Sequence, residues 1–186
     1  MQKYKKTKYT PQEFEKLVKA KSKEIKKYAE LRFPTEAGNT ALRFVDGNFR
    51  AQGWQGASFK PWKPNQRGGT ILVKSGHLRS ASYYVTSPAM AIVRNTMPYA
   101  RIHNEGGTII VPITKKMKKF AWAMYYKEGK QDHSMWKGLA LTKKNALSVK
   151  IAQRQFAPTQ NSPSPVLNRA LTRKIEQELQ RMFNAK

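Results

Sequence analysis

The sequence predicts an α+β domain in which a small, mostly antiparallel sheet is flanked by an N-terminal helical pair and a C-terminal helix. Three observations carry this prediction. Apolar residues recur at helical spacing near both ends, β-branched and aromatic runs separated by Gly and Pro fill the middle, and the 186 residues include no cysteine. A chain of this length buries one modest core, so its fold must depend on packing or on partners and not on disulfides or thiolate metal sites.

Two helices are predicted at the N-terminal end. Thr10 and Glu13 form a capping box around Pro11, and apolar residues then follow at helical spacing up to Pro34, which is expected to end the first helix. The second amphipathic stretch, 37–49, predicts a second helix. We therefore expect a basic helix in residues 1–34 and the start of the main domain at residue 35.

Short strands are predicted in the central region. Residues 53–69 are rich in Gly, Pro and Trp and predict a long loop, whereas the following apolar runs predict a hairpin at 82–86 and 90–93 and further strands at 108–113 and 147–151. Met117, Phe120, Ala121 and Met124 predict a helix or turn before a polar arm near 127–145. The main domain is expected to span 35–157, followed by a proline-rich linker and a C-terminal helix in 158–186.

Positive charge is spread along the whole chain. The sequence holds 36 Lys and Arg against 11 Asp and Glu, which gives a formal net charge of +25. Divided after residues 32, 114 and 157, the chain yields segments of +7, +6, +9 and +3. This distribution is typical of a protein that lies against a polyanion or acidic neighbours, and a role in solubility alone gives the same composition.

Membrane insertion and catalysis are not expected. No uncharged stretch exceeds 14 residues, and the one at 80–93 contains a proline, so neither secretion nor membrane spanning is predicted. A metal-dependent nuclease would use a His base beside carboxylates, and His103 with Glu105 is the nearest arrangement. Their alternate spacing on a turn points the side chains apart, so we predict no enzyme, cofactor or metal site; Asp132 and His133 are weaker candidates.

Aromatic and basic residues interleave in the loop that contains Trp54, Lys60, Trp62, Lys63 and Arg67. Such interleaving can stack against bases and neutralise phosphates of single-stranded nucleic acid. Tryptophans beside Gly and Pro more commonly pin a loop onto a sheet, and the sequence favours this second interpretation.

Four motifs occur in an order that resembles one protein family. They are Asn48-Phe49-Arg50 with Gln52-Gly53-Trp54, Phe59-Lys60-Pro61-Trp62-Lys63-Pro64, Leu72-Val73-Lys74-Ser75-Gly76-His77-Leu78-Arg79-Ser80, and Tyr99-Ala100-Arg101-Ile102-His103-Asn104-Glu105-Gly106-Gly107. The set is similar to the phage virion morphogenesis family, which includes tail-completion proteins of Mu-like, contractile-tailed phages. The resemblance covers about residues 49–156, where Arg154-Gln155-Phe156 matches an Arg-x-Phe near the end of the family domain.

The resemblance implies a non-enzymatic virion protein of the head–tail junction, assembled in the host cytoplasm as a homo-oligomeric ring around the DNA channel. Its partners would be other neck and tail proteins (a connector or adaptor, a tail terminator or tube), with nonspecific contact to DNA. A hexamer at +25 per copy would carry a formal charge of about +150, so ring closure is expected to need DNA or acidic subunits. A nonspecific DNA-binding or packaging-associated protein is the alternative.

Interaction candidates follow from the same segments. We expect Arg79, with His77, on a tight turn where its guanidinium pairs with a carboxylate or phosphate, and Tyr99 and His103 on one face of a short turn against the sheet. The remaining candidates are two motif residues and a lysine run expected to face either the DNA channel or an acidic neighbour: Trp62, Arg154, Lys115, Lys116, Lys118 and Lys119.

Overall fold

The structure is a computed structural model that describes residues 9–65, 68–131 and 134–184. The chain divides into two units, each described by itself below. The first contains the described residues up to Ala100 together with those from Arg154 onward, and the second spans Arg101–Gln153. The predicted α+β fold with an N-terminal helical pair and a C-terminal helix is confirmed, and the described strands form three separate antiparallel pairs.

Most helices and strands lie near the segments that the sequence predicts. The long loop predicted at 53–69 is wrong in part, because residues 53–55 and 59–61 pair as two short antiparallel strands. The helices are α1 (Pro11–Lys27), α2 (Phe33–Ala51), α3 (His77–Ser80), α4 (Ala100–Glu105), α5 (Lys115–Lys127), α6 (Met135–Leu141) and α7 (Pro165–Asn184). The strands are β1 (Gly53–Gln55), β2 (Phe59–Pro61), β3 (Ser82–Ser87), β4 (Met90–Asn95), β5 (Gly107–Pro112) and β6 (Ala146–Ile151). The pairs are β1 with β2, β3 with β4, and β5 with β6.

The N-terminal helices form one nearly continuous helical segment. The Glu13 N–H donates to Thr10 Oγ1 at 3.3 Å, and the Thr10 N–H donates to the Glu13 carboxylate at 2.8 Å, so the predicted capping box is present. The prediction that Pro34 ends the first helix is wrong. A π-helical turn, Tyr28–Arg32, joins α1 to α2, and Pro34 lies in the first turn of α2, where a missing N–H leaves no intrahelical bond unmade.

The β3–β4 hairpin packs on α2 in the first unit. The predicted hairpin is present, and its register pairs Val85 with Ile92. Tyr84 lies against α2 at Gly38, where a Cβ atom would overlap the aromatic ring. A glycine is therefore needed at this point of the helix for the hairpin to approach closely.

The core of the first unit collects residues from distant parts of the sequence. Its buried apolar members are Val45, Phe49, Trp62, Leu78, Ala100 and Phe156. Buried polar groups next to it are hydrogen bonded: Asn48 Nδ2 donates to the Phe156 carbonyl at 3.0 Å, and the Gln55 N–H donates to Asn48 Oδ1 at 3.1 Å. These bonds connect the end of α2 and β1 to the segment that precedes α7.

The second unit is a two-stranded ribbon with a helical insertion. β5 and β6 pair from Gly107–Ile151 to Pro112–Ala146, and α5 and α6 lie in the chain between them. The two helices pack through the side of α5 that carries Ala121 and Tyr125, both of which are buried. The segment predicted as a polar arm near 127–145 thus contains a short helix, α6, that is part of this helical pair.

Candidate functional site

Trp62 anchors its loop in the core of the first unit. Its ring is 5 % exposed, meets the Phe49 ring edge-on at 5.5 Å between centroids, and its Nε1–H donates to the Gln155 carbonyl at 2.9 Å. The loop-anchoring interpretation therefore describes this tryptophan, and it does not form a surface on which a base could stack. Trp54 is likewise buried, whereas Arg67 lies outside the described residues.

Arg154 also holds this loop from within the chain. Its Nε donates to the Lys63 carbonyl at 3.1 Å and its Nη2 to the Pro64 carbonyl at 3.5 Å. The guanidinium thus satisfies backbone acceptors of a proline-containing turn. In this structure Arg154 is a positioning residue for the Trp62 loop.

Arg79 has a carboxylate partner inside the same chain. It lies on α3, a helix of only four residues that begins after Gly76 in a left-handed conformation with φ 78°. Arg79 Nε lies 2.5 Å from Asp46 Oδ1, and Arg50 Nε lies 3.2 Å from Asp46 Oδ2. The predicted pairing with a carboxylate is thus made to α2, and His77 at the start of α3 is exposed.

The Asp46 ion pair gives a testable acid dependence. The hydrogen bond from Arg79 holds the pKa of the Asp46 carboxyl below its usual value. Because the pKa of Asp46 is lower in the folded than in the unfolded protein, its ionised carboxylate stabilises the fold at pH values above the unfolded pKa of about 4. This stabilisation is lost as the pH falls through the folded-state pKa. We expect D46N to lower the free energy of unfolding at pH 6 by about 1 kcal/mol, a modest value because water screens a half-exposed pair.

Urea titrations of wild type and D46N across pH would measure this difference. The gap in unfolding free energy should close as the pH falls from about 4 to about 2. A gap of constant size down to the lowest pH would contradict the assigned role of the ion pair, and D46N tests it directly because the amide keeps the shape of the side chain.

Tyr99 belongs to the first unit and His103 to the second. Tyr99 is 40 % exposed, whereas His103 is partly buried on α4. Asp132 and His133 lie outside the described residues. Within the part of the chain that the structure describes, no group of three His, Asp or Glu residues is placed to hold a metal ion.

The lysine run lies at the start of α5. Thr114 caps this helix by accepting from the Met117 N–H at 3.2 Å. Lys118 Nζ donates to the Thr142 carbonyl at 2.7 Å and so ties α5 to the segment after α6, whereas three other lysines of the run are exposed: Lys115, Lys116 and Lys119. The four lysines of the run therefore divide into one structural group and three groups facing solvent.

The exposed lysines of α5 differ from those of α1 in their surroundings. On α1, Lys19 pairs with Glu15 at 2.6 Å and Lys26 with Glu30 at 3.8 Å. The sequence of α5 contains five lysines and no carboxylate, and no ion pair to Lys115, Lys116 or Lys119 is formed by the residues that the structure describes. The partial positive charge of the helix N-terminus adds to theirs, so this surface favours an anion.

Aromatic side chains continue the lysine surface along α5. Lys115, Lys119, Trp122 and Tyr126 follow one another at intervals of four, three and four residues, which places them on one side of the helix; we call them the lysine–aromatic stripe. The Trp122 and Tyr126 rings are stacked with centroids 6.0 Å apart, and Lys130 Nζ lies 5.4 Å from the centre of the Tyr126 ring.

The stripe is not apparent in the linear sequence, where the lysines form a run and the aromatic residues follow later. The aromatic residues lie up to eleven positions away from Lys115 and become neighbours of the lysines only on a helix of three turns. The helical spacing itself was the available signal.

Comparisons with known proteins add no family to these observations. No protein-family model, curated protein or solved structure matches the chain. No helix among the described residues is long and apolar enough to cross a membrane.

Proposed function

We propose that the chain is a structural virion protein of the phage head–tail junction, a neck or tail-completion protein that joins tail to head as a ring around the DNA channel. One observation carries the proposal. Each of the four motifs that resemble the virion morphogenesis family contributes one residue to the same core, namely Phe49, Trp62, Leu78 and Ala100. Phe156 of the Arg-x-Phe sequence is the fifth contributor.

This convergence supports interpreting the motifs as the signature of one fold. Spread over more than 100 residues of sequence, they meet around a packed interior and around the Trp62 and Asn48 hydrogen bonds. Motifs of an enzyme would instead bring acids, bases or ligands together in a cleft. A shared packing pattern is what a structural family retains when its contacts to neighbours differ.

Particle assembly tests the proposal. Phage particles made without this chain should accumulate filled heads and tails that remain unjoined, and complementation with the wild-type chain should restore joined particles. Purified wild-type particles should contain the chain in a fixed ratio to a known neck protein. Particles that lack it, together with hydrolysis of DNA by the purified chain in Mg²⁺, would overturn the proposal.

The exposed lysines of α5 favour the second candidate, a protein that binds DNA nonspecifically. K115S/K116S/K119S removes the three lysines without disturbing the Lys118 bond to Thr142. Because each phosphate contact adds about 0.9 to the slope of log K against log salt, we expect the slope for duplex DNA to become shallower by about 2 to 3. Fluorescence anisotropy between about 50 and 400 mM NaCl measures it.

A matched variant controls for the loss of net charge. K16S/K19S/K23S removes the same number of lysines from exposed positions of α1, where carboxylates are close by. Its salt slope should change by less than about 1. Equal salt slopes for the two triple variants would show that the lysines of α5 make no special contribution to DNA binding. The particle experiment would still decide the role of the chain in assembly.

A further inference from the structure

We infer that the lysine–aromatic stripe of α5 binds single-stranded nucleic acid, with bases stacked on its aromatic rings and phosphates paired with its lysines. The inference rests on the proposed function insofar as it uses the same basic surface. It goes further by naming the chemical class of the ligand, a polynucleotide with unpaired bases, and the residues that take each part of it.

The dimensions of the stripe suit several nucleotides. Lys115 and Tyr126 are eleven residues apart, so the stripe is about 16 Å long at 1.5 Å per residue. This is the length of about five bases stacked at 3.4 Å. Cationic groups lie at both ends, since Lys115 and Lys119 occupy the first turns and Lys130 lies against the Tyr126 ring.

The aromatic rings of the stripe remain accessible, unlike the tryptophans of the first unit. Tyr126 is 58 % exposed, and Trp122 is partly exposed and stacked against it. Partly exposed aromatic rings beside ammonium groups provide base stacking and charge neutralisation together, the combination found in single-strand binding sites.

A protein partner explains the stripe less well than a polynucleotide. The centres of protein interfaces are enriched in Tyr and Trp but depleted of Lys, whereas lysines flank the two rings of this stripe. Five lysines and no carboxylate in thirteen residues fit a continuous row of phosphates.

An anionic membrane surface also fits less well. An interfacial helix inserts a continuous apolar face into lipid. The apolar side of α5 is already covered by α6, since Ala121 is fully buried and Tyr125 is 8 % exposed. Trp122 and Tyr126 lie instead on the side of the helix that carries Lys115 and Lys119.

Two variants test the inference against a duplex ligand. The probes are a fluorescein-labelled oligothymidine of about 20 nucleotides and a duplex of equal length at one salt concentration. Because stacking on one ring contributes about 1 to 3 kcal/mol, we expect W122L and Y126L each to weaken oligothymidine binding about 5- to 150-fold and duplex binding less than about twofold. Y126F keeps the ring and should bind like wild type.

Controls separate this inference from the proposed function. F14L alters an exposed aromatic residue of α1 and should leave binding of both probes unchanged. Oligothymidine should also quench tryptophan fluorescence in wild type and much less in W122L. Circular dichroism of each variant verifies that it is folded.

Three results would overturn the inference. The first is equal weakening of both DNA probes by the aromatic variants, and the second is unchanged oligothymidine binding in folded W122L and Y126L. The third is binding to polyglutamate or to anionic phosphatidylserine vesicles that is tighter than binding to oligothymidine and is lost in the same variants. Each of these results leaves the particle-joining experiment free to succeed, so the two proposals fail separately.

Discussion

Replacing Trp62 with alanine is expected to destabilise the first unit by about 3 to 5 kcal/mol, a large part of the stability of an ordinary domain. The change removes a buried ring in edge contact with Phe49 and deprives the Gln155 carbonyl of its donor. The Trp62 ring packs between the loop before α3 and the segment before α7, so its loss leaves a cavity between parts of the chain that are far apart in sequence. Urea unfolding followed by far-ultraviolet circular dichroism measures the cost.

W62F separates packing from hydrogen bonding at the same site. Phenylalanine keeps much of the apolar contact with Phe49 but has no N–H, so we expect a cost of about 1 to 2 kcal/mol, between wild type and W62A. An unfolding free energy of W62A within about 1 kcal/mol of wild type would show that the Trp62 ring does not anchor the loop in the core.

The second large effect is expected from G38A on α2. Alanine normally stabilises a helix relative to glycine by about 1 kcal/mol, but the new methyl group would overlap the Tyr84 ring of the β3–β4 hairpin. Overpacking of this kind costs about 1 to 3 kcal/mol, because either the ring leaves its rotamer or the hairpin moves away from the helix. The midpoint of urea unfolding should fall accordingly.

G47A is the matched control on the same helix. A Cβ at Gly47 would lie 3.3 Å from Gln55 Nε2, the end of a flexible side chain that can move aside. We therefore expect G47A to be neutral or stabilising by up to about 1 kcal/mol. The G38A cost should also shrink by at least about 1 kcal/mol in a Y84A background, and equal costs in both backgrounds would contradict the assigned overlap.

Local signals in the sequence predict most of the helices and strands. The Thr10–Glu13 capping box and the β-branched and aromatic runs at 82–86 and 90–93 act through neighbours in the chain. The capping box and the hairpin are both found in the structure. Pro34 misled the prediction because a proline ends a helix only where it removes a hydrogen bond from the interior. Here a π-helical turn precedes Pro34, so that Pro34 lies in the first turn of α2.

The candidate site depends more on tertiary structure than on local pattern. The cationic character of Lys115, Lys116 and Lys119 could be predicted, since a charge run without carboxylates is visible in one line of sequence. The intrachain partners of Arg79 and Arg154 could not, because Asp46 and Lys63 lie 33 and 91 residues away from them. From the sequence alone, Arg79 has two possible partners, a carboxylate or a phosphate, and only the tertiary structure places Asp46 beside it.

The α5–α6 helical pair, on which we propose that nucleic acid binds, is inserted between two paired strands. Pro112 and Ala146 are paired at the end of the β5–β6 ribbon, so the segment between them leaves and re-enters at adjacent points. None of the residues that build the core around Trp62 belongs to that segment. We therefore expect that a tight turn joining β5 to β6 can replace this segment without removing any residue of that core.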